Sequence, residues 1–175
     1  MLYVFLDCDG VINNQETFRK IIEDEDLEAP HIDNKNIEIL SEFIHRHDAK
    51  VVLSSSWRNG LNKDLTPRYS DGNVAGLLKI LKLNNIDLVG KTESLYDGDH
   101  WGRPTEIFRY VEQNLIQGDD FIIFDDDDVA GEAHPDIRKI ISDHFVKTSF
   151  STGLTEENIK KAERLLSRSG ALIKK

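Results

Sequence analysis

The stretch LYVFLDCDG, residues 2–10, sets a run of mostly apolar residues against two aspartates and a glycine. A continuous apolar run of this length, closed by turn formers, fits a strand buried on both faces, as in a parallel sheet. Two further runs end the same way: VVL (51–53) before Ser54, and FIIF (121–124) before Asp125. A fourth, IDLV (86–89), ends at Gly90, and a weaker fifth lies at 144–146.

Amphipathic stretches of helical length fall between them. Residues 36–47 space Ile37, Leu40, Phe43 and Ile44 by threes and fours, and 74–83 do the same through Leu77, Leu78 and Leu81. Residues 105–115 carry Ile107, Phe108, Val111 and Leu115, with Pro104 where a missing N–H is tolerated; 155–166 open with Thr155 and Asn158 spaced like a cap. Strands alternating with such helices predict an α/β fold. It is a doubly wound, Rossmann-like parallel sheet with helices on both faces. The 175 residues suit a single domain spanning 1–175, with no linker, repeat or low-complexity tract. The acidic run EDEDLE (23–28) reads as a solvated loop or helix end.

Hydrophobic residues make up 39% and charged residues 31%, enough apolar material for a core. A net charge of -10 repels long polyanions, so extended binding to duplex DNA is not expected unless a local basic patch overrides it. The single cysteine, Cys8, excludes an internal disulfide and fits a reducing compartment, the cytoplasm by default. Aspartates arrive too early in the N-terminal run for a secretory leader or a membrane span.

In an open parallel sheet the carboxyl ends of the strands line the ligand crevice. The residues standing there are Asp7 and Asp9, Ser54 to Ser56, and Asp125 to Asp128. Gathering carboxylates is opposed by repulsion and desolvation, and a hard divalent cation relieves both. Magnesium suits an all-oxygen shell that includes substrate phosphate, whereas the scattered histidines and lone cysteine offer no zinc site.

FLDCDGVI (5–12) resembles the first motif of the haloacid dehalogenase (HAD) superfamily, VVLSSSWR (51–58) its second and IIFDDDD (122–128) its fourth. With GRPTEIFRYV (102–111), the set is most similar to the HAD domain of Swiss Army Knife RNA repair proteins. The resemblance implies a Mg²⁺-dependent phosphatase working through an aspartyl-phosphate. Asp7 matches the nucleophile and a metal ligand. Asp9 matches the general acid and base, its backbone carbonyl also binding metal. Ser54 matches the group that hydrogen-bonds the phosphoryl, with Ser55 as runner-up. Arg103 is taken as the basic third motif, with Lys91 as competitor. Asp125 and Asp126 match the metal-binding pair, while Asp127 and Asp128 are left to hold the loop or ordered waters. Gly10, Ser55 and Arg58 are taken as substrate-binding.

Some residues have plainer readings. Trp57 after a strand is expected to pack against the sheet. Cys8, between two aspartates, is expected to be inert and inward-facing. His134, His100 and Trp101 read as surface or local packing residues. Residues 13–36 leave room for a helix and a flap, and 59–87 for a loop and one helix, so a fairly open site is expected. The resemblance implies a nucleotide or nucleic-acid end phosphate as substrate. A small-metabolite phosphatase and a catalytically idle phosphate- or metal-binding module are the alternatives.

Overall fold

The computed structural model describes residues 1–23, 31–70, 72–95 and 102–172. Five strands, β1 (Leu2–Leu6), β2 (Lys50–Leu53), β3 (Leu88–Lys91), β4 (Asp120–Asp125) and β5 (Phe145–Lys147), form one sheet in the order β3-β2-β1-β4-β5. All neighbours are parallel. Helices α1 (Gln15–Glu23), α2 (Asn34–His47), α3 (Asn73–Leu83), α4 (Gly102–Asn114), α5 (Val129–Glu132), α6 (Pro135–Asp143) and α7 (Glu156–Leu172) connect and follow them, and a 3-10 turn spans Ser56–Gly60.

Alternation along the strands divides the core in two. Val4, Leu6, Val51, Leu53, Ile122, Phe124 and Val146 pack under α2, α3 and α7, with Phe43, Leu40 and Leu77 among the buried partners. Phe5, Val52, Phe121, Ile123 and Phe145 point the other way, against Ile107 of α4, Val129 of α5 and Ile141 of α6. Both faces of the central strands are therefore covered, which is why their sequences are apolar without alternation.

The register sets the level of the site. Leu6 is opposite Leu53 on one side and Phe124 on the other, so β1, β2 and β4 end together. The ladder runs one residue further at each junction: Asp7 N–H donates to Phe124 O (3.1 Å), Ser54 N–H to Leu6 O (2.9 Å), and Thr148 N–H to Asp125 O (2.8 Å). Backbone is thus fixed under each functional residue.

Local signals explain the helix ends. Asp33 caps α2 by accepting from the Lys35 and Asn36 N–H groups, and Thr155 and Asn158 bond reciprocally at the start of α7. β3 begins two residues later than the apolar run predicts. Ile86 N–H instead closes the end of α3 by donating to Leu81 O, and only from Leu88 does the chain lie in the sheet. The stretch after β4 also holds α5 and α6, which the sequence reading did not separate from loop. Pro135 at the first turn of α6, with Ile137, Ile140 and Ile141 following, was the available signal. Among the described residues no helix is long and apolar enough to cross a membrane.

Candidate active site

Asp7, Asp125 and Asp126 each offer a carboxylate oxygen, and these oxygens all lie within 4.8 Å of one another. Asp7 and Asp125 are buried and Asp126 is half-buried. Gly10 makes the closeness possible. It sits at φ +68°, and a Cβ there would lie 2.4 Å from Asp126 Cγ, so a side chain would push Asp126 out of the cluster.

Arg103, in the first turn of α4, places one Nη1 3.0 Å from Asp7 Oδ1 and 2.5 Å from Asp125 Oδ2. Lys91 does not reach these carboxylates; its ammonium donates to the carbonyls of Arg58 (3.1 Å) and Leu61 (2.7 Å). One guanidinium thus pairs with two of the three carboxylates. Burial pushes the Asp7 carboxyl up to about 7; Arg103 opposes this, Asp125 and Asp9 reinforce it, and a hydrogen bond from Ser55 also opposes it. Burial likewise raises Asp125 and Asp126. For Arg103 burial disfavours the charge, but Asp7 and Asp125 outweigh it and hold the guanidinium protonated.

The residues present fit a hard cation. Oxygens bound to one magnesium ion at about 2.0 to 2.1 Å lie roughly 3 Å apart when adjacent and roughly 4.2 Å when opposite, so the cluster would close by up to roughly 1.8 Å around it. All the donors are carboxylate oxygens, the chemistry that magnesium prefers.

The Asp9 side chain stands apart from the cluster and is held at both oxygens. Trp57 Nε1–H donates to Oδ2 (3.1 Å) and the buried Asn13 Nδ2–H to Oδ1 (2.9 Å). Asn13 is itself fixed by accepting from the Gly10 N–H (3.0 Å). The site therefore presents one carboxylate among possible ligands and a second oriented by neutral donors.

A family model described as the HAD domain in Swiss Army Knife RNA repair proteins matches residues 3–159. The chain belongs to this family. No curated protein and no solved structure matches the chain.

In this HAD domain the structure brings Asp7, Ser55, Arg103, Asp125 and Asp126 together, with Asp9 beside them. Ser54 and Ser55 differ in their surroundings. Ser55 lies close enough to lower the Asp7 carboxyl, and its hydroxyl accepts from the Trp57 N–H at the head of the 3-10 turn (3.3 Å). The Ser54 hydroxyl is wholly buried and meets no partner among the described residues.

Two residues expected to bind substrate, Arg58 and Gly10, are engaged by other partners. Arg58 is turned inward: its Nη1 donates to the carbonyls of Ser54 (2.7 Å) and Ser55 (3.0 Å), and its Nη2 to Glu106 Oε2 (2.7 Å). A guanidinium committed to three acceptors in the interior supports the serine loop. Gly10 likewise presents its Cα to Asp126 and its N–H to Asn13.

The remaining residues fall into place around the site. Asp127 N–H donates to Asp125 Oδ1 (2.9 Å), and Asp128 caps α5 by accepting from the Gly131 N–H (3.2 Å). Cys8 is buried, and burial, more than Asp7, holds its thiol protonated. His134 caps α6. α1 fills the start of the expected flap; residues 24–30, with most of the acidic run, and His100 and Trp101 lie outside the described residues.

Three contributors were missed as site residues: Trp57, Asn13 and Glu106. Asn13, four residues after Asp9, had a local signal in its reach back to the turn. For Trp57 and Glu106, partners 48 residues away leave none.

Proposed function

We propose that this HAD domain is a Mg²⁺-dependent phosphomonoesterase acting through an aspartyl-phosphate. The observation that carries the reading is the Asp7 carboxylate at the end of the central strand, paired to Arg103 and within ion-sharing distance of Asp125 and Asp126. Asp7 attacks phosphorus as the ester P–O bond breaks, and Asp9 gives its proton to the departing oxygen. Asp9 then takes a proton from water, whose oxygen attacks phosphorus and releases inorganic phosphate and the Asp7 carboxylate. Arg103 and the Ser55 hydroxyl face the transferring group and offset its charge. Asp7, Asp125, Asp126 and the Asp9 carbonyl would hold magnesium, which supplies further charge neutralisation.

The family's description with RNA repair supports a phosphorylated nucleotide or nucleic-acid end as substrate. A lone, buried, free thiol supports a reducing compartment such as the cytoplasm. Hydrolysis of an aryl phosphate is expected to fall to background in excess chelator and to return on adding Mg²⁺. Activity indifferent to chelator rejects the reading.

The hold on Asp9 gives a second prediction. Trp57→Phe keeps the ring and removes the N–H, freeing one oxygen of the acid. Misplacement of a catalytic group by about 1 Å costs up to about 10²-fold. The loss in kcat should be larger for an alkyl phosphate, whose departing oxygen needs the proton, than for p-nitrophenyl phosphate. Equal losses on the two esters would show that Trp57 merely packs.

A further inference from the structure

At the β3 edge of the sheet lies a groove of about 770 Å³, lined by Arg58, Lys63, Arg68, Lys91, Thr92 and Tyr110 together with neighbouring polar residues. The volume suits a nucleotide-sized ligand and far exceeds one phosphate. Its charge runs against the rest of the chain, whose net charge is -10. Among the described residues Lys63, Arg68 and Lys91 form no ion pair. Arg68 donates from Nε to Leu61 O (3.2 Å), and Lys91 donates to the carbonyls of Arg58 and Leu61.

These cations crowd one another. The Lys91 ammonium is held below the usual lysine range, first by burial and then by the charges of Arg68 and Arg58. The lining also carries two carboxylates, Glu93 and Asp64, the latter kept ionised by accepting from the Thr66 N–H and hydroxyl. With Arg58 paired to Glu106, the cations Lys63, Arg68 and Lys91 outnumber the acids Asp64 and Glu93 by one, and an excess of positive charge gathered in a cavity is the footprint of an anionic ligand.

Position ties the groove to the candidate active site. β3 is the second strand from β1, and strands lie about 4.8 Å apart, so the ends of β3 and β1 are roughly 10 Å apart. Thr92 continues the ladder by donating to Leu53 O (3.0 Å), at the same level as Ser54.

We propose that this groove binds the nucleotide adjoining the phosphorylated end of a nucleic-acid strand, with Lys63, Arg68 and Lys91 facing its phosphodiester while the terminal phosphate lies at Asp7. The proposal rests on the phosphatase reading and extends it to a short, single-stranded footprint. Such a footprint needs a local basic patch only, consistent with an acidic chain that repels long duplexes.

The test is fluorescence polarisation with a trinucleotide phosphorylated at one end and dye-labelled at the other. Unlabelled thymidine dinucleotide and mononucleotide carrying the same terminal phosphate compete, in separate series for 5′- and 3′-phosphates, with tripolyphosphate as a charge control. One additional phosphate contact is expected to make the dinucleotide about tenfold the better competitor in at least one series. In Lys63→Glu/Arg68→Glu, two exposed positions, that preference should shrink to near unity.

Equal competition by the two nucleotides in wild type, a preference that survives in the double variant, or tripolyphosphate competing as well as the dinucleotide would overturn the proposal. Binding is read without turnover. A protein that keeps the preference yet hydrolyses no aryl phosphate refutes the phosphatase reading alone, and an aryl phosphatase without the preference refutes the groove alone.

Discussion

Asp7→Asn is expected to lower turnover of an aryl phosphate by about 10⁴-fold or more, since losing a covalent nucleophile removes the pathway and leaves only positioning. The substitution keeps the shape of the side chain, and the fold should bear it. Asp7 has a folded pKa of about 7, above its ordinary carboxylate value, so its proton contributes stability that is lost as pH rises through about 7. Asparagine removes that loss. In metal-free buffer near pH 7 the thermal midpoint of the variant should therefore equal or exceed that of the wild type. Activity and midpoint measured on one preparation separate a chemical defect from unfolding. Undiminished turnover in Asp7→Asn would remove the proposed nucleophile.

Arg58→Met should produce the largest loss of stability, about 3 to 5 kcal/mol, because it strands the Glu106 carboxylate in the interior. The pair is 2.7 Å long, with side chains 8% and 5% exposed, so solvent cannot take over for the missing partner. Glu106 Oε1 also accepts from the Leu95 N–H (2.9 Å), and Arg58 holds the carbonyls of Ser54 and Ser55. Replacing both partners, as Arg58→Met/Glu106→Leu, should return much of the stability while leaving those carbonyls without their donor. Denaturant melts of the single and double variants measure this. A single variant within about 1 kcal/mol of wild type would show that the pair is not isolated from water.

The strands were legible because a parallel sheet covered on both faces leaves uninterrupted apolar runs, and Asp7 and Asp125 were legible because they stop two of those runs. What the sequence hid was pairing across distance. Arg58 follows a serine run and looks like a substrate contact until α4 brings Glu106 against it. Trp57 reads as packing, which its ring does, while its indole N–H reaches an aspartate from the first turn. Arg103 was legible as the basic residue just ahead of α4, but setting Lys91 aside needed coordinates, since spacing alone left it as a competitor. The start of β3 was misplaced because Ile86 is buried in the core while its backbone N–H closes α3, which a run of hydrophobic residues cannot distinguish from entry into a sheet.

The strand order carries a consequence for how the protein is made. β1 pairs with β4 with Leu2 opposite Asp120, so during synthesis β1 waits for a neighbour more than a hundred residues behind it. Until that neighbour emerges, Asp7 has neither Asp125 nor Asp126 beside it, and the pocket for a cation does not exist. On the proposed phosphatase reading, a nascent chain is then inert toward phosphate esters however much of its first half has folded, and regain of activity in refolding should follow the slow closure of this long-range pairing.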